Sequence, residues 1–413
     1  MKEMEQKRFR RQGRRRRCVR LLMVLIISSS LCACAKKEAE LEKEIESEKE
    51  IESEKGISEA EMDCKRQMEQ LQNIYEKADK GDTSNVVLQD ETMLEMQKRA
   101  GKTGNPVSAE VAYSNVENYE KLDQFLNNCE IGKSGSVVIY NVRRDGGISR
   151  MKFIYDGTEM HVVSTSGIWI EENTPGIACT TSIPVKEWEY TEKGWFCYEL
   201  CVPEPPEVTE IMDGSCLIRV KPMTEKQRAL SQLCVQKIGY QGNNLLCSNW
   251  NLNNLDVLDY NGLYEYLYAM KYGQRVSPEN YPEGIPKEEF ENLMIEYLPI
   301  TSEEIRKYAV FNQEKQTYDW AQLGCMNYTP TFFGTCLPEV IDVKENADGT
   351  MVLTVDAVCN KVACDDTVIT HELTVRFRED GSFQYLGNEI RKEDRNNVPE
   401  YQYRMKGEIK NGS

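Results

Sequence analysis

Four tyrosines are evenly spaced in one segment, because Tyr260, Tyr264, Tyr268 and Tyr272 recur at every fourth position. Side chains four positions apart lie on the same face of an α-helix, so this spacing predicts a stripe of tyrosines along one helix. Tyrosine rings with free hydroxyls can hold a sugar ring or a peptide, which makes these four residues candidate ligand-binding residues. The same stripe also suits packing against a sheet, with the hydroxyls at the rim, and the spacing alone does not distinguish the two.

The chain has two histidines, His161 and His371, and both fall in segments with the alternating pattern of β-strands. A Ser/His/Asp or Cys/His site would need one of them, and no Gly-x-Ser-x-Gly elbow supplies a serine nucleophile. No catalytic residue is therefore assigned. Acidic residues are abundant, however, and a glycosidase-type pair of carboxylates drawn from distant strands remains an alternative.

The cysteines are numerous, fifteen in all. The sequence has no Cys-x-x-Cys pair, the close spacing typical of zinc sites, so no metal and no other cofactor is predicted. Setting aside Cys18, Cys32 and Cys34 leaves twelve cysteines, for which the sequence favours free thiols over a few disulfides. Cys359 and Cys364 flank a short polar turn, where a disulfide across a hairpin is an open alternative.

Residues 1–33 have the composition of a secretory signal peptide. They contain ten lysines and arginines, followed by an apolar run that ends at Ile27 and by small residues. The run is shorter than the roughly 20 apolar residues that an α-helix needs to span a bilayer. The segment therefore predicts export rather than a membrane span.

The end of this segment, Leu31-Cys32-Ala33-Cys34, resembles a lipobox, the processing signal of bacterial lipoproteins. Leu31 lies three positions before Cys34, and the small Ala33 lies directly before it. Cys32 departs from the pattern, since a small or β-branched residue is usual there. The resemblance implies that Cys34 carries a diacylglyceryl group, becomes the new N-terminus and anchors the protein to the outer face of the cell membrane, because two acyl chains hold stably.

Residues 34–60 are predicted to be a charged, flexible tether. The sequence Glu44–Lys49 repeats as Glu50–Lys55, so an isoleucine recurs every six residues. Six helical steps rotate by about 240°, and these isoleucines therefore line no single face. Such a segment cannot bury a core, and we expect it to space the folded part from the membrane.

The mature chain is strongly acidic. Without residues 1–33 it has 41 basic and 66 acidic residues, a net charge of −25. Nucleic acid is an unsuitable partner for such a surface, and adsorption to anionic lipid is equally disfavoured. The lipid anchor is then the expected membrane contact, and an envelope glycan or protein is the candidate partner. The charge does not determine the oligomeric state.

The folded part is predicted to be α+β, with two domains that each pack helices on an antiparallel meander sheet. Asp-Gly turns such as Asp213-Gly214 and Asp380-Gly381 separate runs of alternating residues, which is a strong hairpin signal. Helices precede the meander in both halves, an order shared by ferredoxin-like, cystatin-like and cone-shaped folds. The predicted divisions are a helical lead-in at 61–109, domains at 110–222 and 223–395, and a loose C-terminal tail at 396–413.

Two strand segments carry a wider resemblance, Gly194–Leu200 and Asp213–Val220. With the lipobox, they resemble lipoproteins of Gram-positive gut anaerobes that have a domain of unknown function, a family that implies no activity. The favoured hypothesis is a non-enzymatic envelope lipoprotein that binds a ligand or a protein. The alternatives are an envelope enzyme acting on glycan or peptidoglycan through a carboxylate pair, and a structural or regulatory protein without a small ligand.

Overall fold

The computed structural model describes residues 55–82, 85–203, 214–359 and 366–405. The chain divides into two units, Met1–Glu59 and Ala60–Ser413. Of the first unit only residues 55–59 are described, and they are helical. The predicted signal peptide, Cys34 and most of the tether lie outside the described residues. Within the described segments, no helix combines the length and apolar character that crossing a bilayer requires.

Three helices open the larger unit, α1 (60–69), α2 (Gln72–Lys77) and α3 (Asp90–Gly101). The periodicity of residues 60–80 predicts one helix, but that helix is interrupted at residues 70–71. A tighter bond, from the Leu71 N–H to the Met68 carbonyl (2.8 Å), replaces the α-helical bond there. After the turn, Tyr75 stacks on Trp169, with ring centroids 4.4 Å apart.

A seven-stranded sheet follows the chain order from end to end. The first two strands are parallel, and each later pair is antiparallel. The strands are β1 (Val107–Ala109), β2 (Gly135–Val142), β3 (Ile148–Tyr155), β4 (Met160–Ile170), β5 (Thr174–Tyr190), β6 (Trp195–Leu200) and β7 (Ser215–Arg219).

Helices cover both faces of this sheet at β2. Helix α4 (Glu120–Glu130) packs Phe125 into one core together with Ile139 of β2. The next residue, Tyr140, belongs to the core on the opposite face, which α1 to α3 supply. Successive side chains of a strand point to opposite faces, so a strand covered on both sides alternates between two cores.

The sequence prediction misses the long middle of this sheet. It places strands at Glu159–Ser164 and Lys186–Tyr190, whereas β4 and β5 together extend from Met160 to Tyr190 with one short turn. The missed part is rich in Ser, Thr, Gly and Pro and lacks apolar alternation. It is held as strand by pairing with its neighbours, including a bulge between Ser166 and Gly167.

The second half of the unit combines helices with two further sheets. Its helices are α5 (Glu225–Leu230), α6 (Tyr260–Tyr272), α7 (Lys287–Tyr297) and α8 (Ser302–Tyr308). A small sheet has the order β8-β10-β9, from β8 (Ile285–Pro286), β9 (Phe311–Asn312) and β10 (Thr317–Tyr318). The four-stranded meander is β11 (Leu337–Glu345), β12 (Thr350–Val358), β13 (Thr367–Phe377) and β14 (Phe383–Ile390).

Capping residues begin two of these helices, α5 and α8, as the sequence predicts. Thr224 forms a capping box with Gln227, and Thr301 forms one with Glu304. The sequence predicts a helix from Thr224 through about Ile238, which is wrong in its second half, because α5 ends at Leu230 and a π-helical turn follows. That turn buries Ser231, whose hydroxyl accepts the Val340 N–H at 2.9 Å.

The mixed α+β class is confirmed, but a division into two domains at residue 222 is not, because Ala60–Ser413 is one compact unit. Hydrogen bonds also join residues on the two sides of position 222. The Tyr113 hydroxyl donates to the Pro338 carbonyl at 2.5 Å. Asn115, predicted as a helix cap, instead bonds both the N–H and the C=O of Met223, and α4 begins only at Glu120.

Residues 396–405, predicted to be loose, are fastened to the fold. Arg404 is 6 % exposed, and its guanidinium donates to the carbonyls of Gly242 (3.0 Å) and Gly262 (2.6 Å). It also pairs with Glu265 at 3.0 Å. Tyr401 donates to Asp259, the residue that caps α6. Burial of a charged group is costly unless it is bonded, which these partners provide.

Replacing Gly262 tests how closely the start of α6 packs against the backbone at Gly242. Gly to Ala inside a helix normally stabilises by about 0.5–1 kcal/mol. At Gly262, however, a Cβ would approach the Gly242 carbonyl oxygen to 2.7 Å. We expect G262A to lower the free energy of unfolding by about 1–3 kcal/mol, measured by urea denaturation.

The helical Gly56 is the matched control, because a Cβ there meets nothing within 4 Å. G56A is expected to leave stability unchanged or slightly raised. Equal effects of the two substitutions would contradict this account of the contact.

Candidate functional site

The predicted tyrosine stripe lies on α6, but half of it is in the core. Tyr260 and Tyr264 are 1 % and 0 % exposed, so they are not available to a ligand. Tyr264 donates to Glu289 at 2.8 Å and stacks on Phe290 with centroids 5.1 Å apart. Tyr268 is half-buried and Tyr272 is half-exposed. For Tyr260 and Tyr264 the packing interpretation therefore applies, and ligand binding stays a prediction for Tyr268 and Tyr272.

His371 is a buried structural residue of β13. Its Nδ1 lies 2.6 Å from the Asn388 side-chain oxygen, and its Nε2 lies 2.8 Å from the Tyr240 hydroxyl. Burial lowers the pKa of His371 to about 4. The ring is thus neutral at physiological pH and serves as a hydrogen-bonding link between β13, β14 and Tyr240.

Three buried carboxylates lie together on the four-stranded sheet. Glu339 of β11 is directly opposite Asp356 of β12, and both side chains are 1 % exposed. Asp366, just before β13, has a side chain that is 5 % exposed. The hydroxyl of Thr370 donates to Asp356 at 2.6 Å. Like charges opposite each other on a sheet repel, and buried charges lack water, so this group requires cations.

The seven-stranded sheet supplies those cations. Lys193, in the turn between β5 and β6, places its Nζ 2.6 Å from Asp356 and 3.4 Å from Asp366. Arg219, the last residue of β7, forms an ion pair with Glu339 and lies over the Trp195 ring at 5.1 Å. We call these five charged residues the charge cluster: Lys193, Arg219, Glu339, Asp356 and Asp366.

The cluster shifts the acidity of its members. Burial raises the pKa of Glu339 to about 7, opposed by Arg219 and reinforced by the charges of Asp356 and Asp366. Burial would lower the pKa of Lys193, but Asp356 and Asp366 outweigh it and the net shift is upward. A carboxyl that titrates near neutrality is suited to proton transfer. The cations beside Glu339 and Asp356 are the protein's own Arg219 and Lys193. The arrangement therefore also suits ion pairs that hold the two sheets together.

Sequence reasoning does not identify this cluster. It places Glu339 and Asp356 inside strands and Asp366 in a turn, without bringing them together. The available signal is Asp356 itself, which interrupts the apolar run Val355-Asp356-Ala357-Val358 in a buried strand. An acid at such a position needs a partner, and the pattern does not say which of the chain's many cations provides it.

A solvent-facing groove of about 360 Å³ lies between α4 and the start of β2. One wall is formed by α4, and the other by the edge of β2. Its lining includes Lys121, Gln124, Phe125, Asn128, Ser136 and Val138. We call it the edge groove. Lys121 has the only charged side chain among its lining residues.

The cysteines and possible metal ligands form no comparable site among the described residues. No disulfide joins two cysteines of the described segments, and Cys364 lies outside those segments. Cys336 and Cys359 are buried next to each other, and burial followed by the Cys359 charge raises the pKa of Cys336. Within the same segments, no group of three or more His, Cys, Asp or Glu side chains is placed to hold a metal ion.

A family described as "Family of unknown function (DUF6070)" matches residues 57–404. The chain belongs to this family. The predicted uncharacterised domain is thus confirmed, and DUF6070 here covers the edge groove, the charge cluster and, at its last position, Arg404. No curated protein matches the chain, and no solved structure does. The lipobox and an origin in Gram-positive gut anaerobes stay predictions.

The raised pKa of Glu339 predicts a specific pH dependence. Its folded pKa of about 7 exceeds the ordinary 4.5, so the folded state retains the proton over that interval. The contribution to stability is complete below about pH 4.5 and is lost as the pH rises through 7. Relative to the neutral E339Q variant, we expect the wild-type free energy of unfolding to fall by up to about 3 kcal/mol between pH 4.5 and 8.

Urea denaturation of both proteins at several pH values measures this difference and cancels the titration of other groups. E345Q is the control, because Glu345 is on the same strand with a side chain 62 % exposed. A flat difference between wild type and E339Q would show that folding does not raise the pKa of Glu339.

Proposed function

We propose that this DUF6070 protein is held at the outer face of the cell membrane by a lipid on Cys34 and acts there as a non-enzymatic binding protein for an envelope partner. The edge groove is the observation that supports binding, because it is open to solvent and lined largely by uncharged polar side chains and exposed backbone. The sequence Leu31-Cys32-Ala33-Cys34 supports the anchor.

The groups best suited to acid–base chemistry favour a non-enzymatic role. Asp356 and Asp366 share the ammonium of Lys193, and Glu339 is paired with Arg219. His371 has a partner on each ring nitrogen. Each of these groups would have to give up an internal bond before it could meet a substrate, which costs free energy in a buried site.

An envelope enzyme acting on glycan or peptidoglycan is the second candidate. Glu339 favours it, since its pKa of about 7 and its place opposite Asp356 resemble a general acid beside a second carboxylate. Lys193 is the access point that such an enzyme would need, because its side chain is 40 % exposed and covers both aspartates.

Two cysteine variants test the anchor. C34A should leave the protein unlipidated with an uncleaved leader, whereas C32A should still be lipidated. Of these two cysteines, only Cys34 follows a small residue. Intact-mass spectrometry of the membrane-extracted protein identifies the N-terminal residue and shows whether acyl chains are attached. An acylated N-terminus in C34A, or its loss in C32A alone, would overturn the assignment.

The absence of catalysis is tested on the extracted full-length protein. Incubated with purified peptidoglycan and with chitin oligosaccharides, it should release no new reducing ends above a boiled control. Release that E339Q abolishes, and that E345Q retains, would establish the enzyme in place of the binding protein.

A further inference from the structure

The edge of β2 is half unpaired. β1 pairs only with Tyr140–Val142, so no strand of the described segments lies beside Gly135–Ile139 on that side. The Tyr140 N–H donates to the Pro106 carbonyl, so it points away from β3. Backbone groups of a strand alternate in direction, so the N–H and C=O of Ser136 and Val138 point the same way. Among the described residues, none pairs with these four groups across the edge.

Pro106 explains why β1 stops where it does. In the parallel pairing, the Glu110 N–H donates to the Val142 carbonyl and the Tyr140 N–H to the Pro106 carbonyl. Extending this pattern backwards, the Val138 carbonyl would accept from the N–H of residue 106. Proline has no N–H, so the ladder ends and the edge beyond it stays open.

The open edge is recessed rather than protruding. α4 runs alongside it, and Phe125 and Val137, both mostly buried, lie in the lining. The exposed stretch Ser134-Gly135-Ser136 has small side chains, which let another backbone come close. A single extended peptide fits between a helix and a sheet edge, where main-chain bonds supply affinity and side-chain contacts supply specificity.

The charge of the groove indicates the chemistry of that peptide. Lys121 is exposed, and its Nζ lies near Gly104 at the Pro106 end of the groove. It forms no ion pair within the described segments. The surrounding protein is strongly acidic, with a formal net charge of −17. An isolated cation at one end of a neutral groove therefore favours a ligand with one carboxylate there.

We propose that the edge groove binds an extended peptide segment of a partner protein, which adds as a strand to Ser136–Val138 of β2 and places an acidic group at Lys121. This inference rests on the proposed binding function and names its site and ligand class. A second copy of this chain is a poorer occupant, because two bodies of like net charge repel and a recessed edge does not meet its own copy.

Phage-displayed random linear peptides, selected on the full-length protein in detergent, supply the probe. We expect selected peptides to carry an acid and to slow amide exchange at Ser136 and Val138, followed by NMR. The amides of Val137 and Ile139 point to β3 and serve as internal controls, already slow without peptide. N-methylation of the peptide's backbone should weaken its binding about tenfold, since it removes main-chain hydrogen bonds to β2 without changing the peptide's side chains.

Charge reversal tests the predicted end of the groove. K121E should weaken an acidic peptide at least about threefold and favour its lysine counterpart, as expected for an exposed ion pair. K77E is the control, because Lys77 is also exposed and lies on α2, outside the groove. Equal effects of K121E and K77E would overturn the assignment of the acidic group.

The other outcomes separate this inference from the proposed function. Selected peptides that protect a different surface would refute the strand site and leave the binding function standing. Failure to select any peptide would refute the strand site as well. Slowed exchange at Ser136 and Val138 in the free protein at rising concentration would show that a second copy is the occupant. The binding function itself fails only if the protein cleaves glycan as described above.

Discussion

Most of the larger unit depends on one electrostatic constraint, the placing of Glu339 opposite Asp356 on a buried sheet face. Carboxylates opposite each other repel, and water is excluded, so this pair requires cations beside it. The cations come from a different sheet, as Lys193 precedes β6 and Arg219 ends β7. The four-stranded sheet therefore needs the seven-stranded sheet beside it, and an apolar contact of Trp195 and Cys197 with Val358 adjoins the same place.

This constraint explains why the unit from residue 60 onward is compact as a whole. Further ties cross residue 222, including the bonds of Tyr113 and Asn115 to Pro338 and Met223. At the far end, Arg404 fastens the C-terminal segment to α6. The family match ends at the same residue.

The open edge of β2 contrasts with this closure. Helices cover both faces of β2, yet among the described strands none pairs with its outer edge along Gly135–Ile139. Exposed edges invite pairing with other chains, and proteins usually shorten, charge or cover them. Here α4 narrows access without blocking it, so the edge is reachable by a thin extended chain and shielded from a broad one.

Local sequence alone determined the α+β class, the helix starts at Thr224 and Thr301 and the helical placement of the four tyrosines, because capping and periodicity are short-range properties. It also identified Cys34 as the lipidation candidate, from residues outside the described segments. Tertiary structure decided which tyrosines are buried, that most of residues 165–185 are strand and that Glu339, Asp356 and Lys193 meet. Those outcomes depend on residues far apart in the chain, and no local pattern encodes a contact between positions 193 and 356. The edge groove depends on local sequence and on tertiary structure. The sequence shows that residue 106 is a proline, but only the fold places its missing N–H beside the Val138 carbonyl.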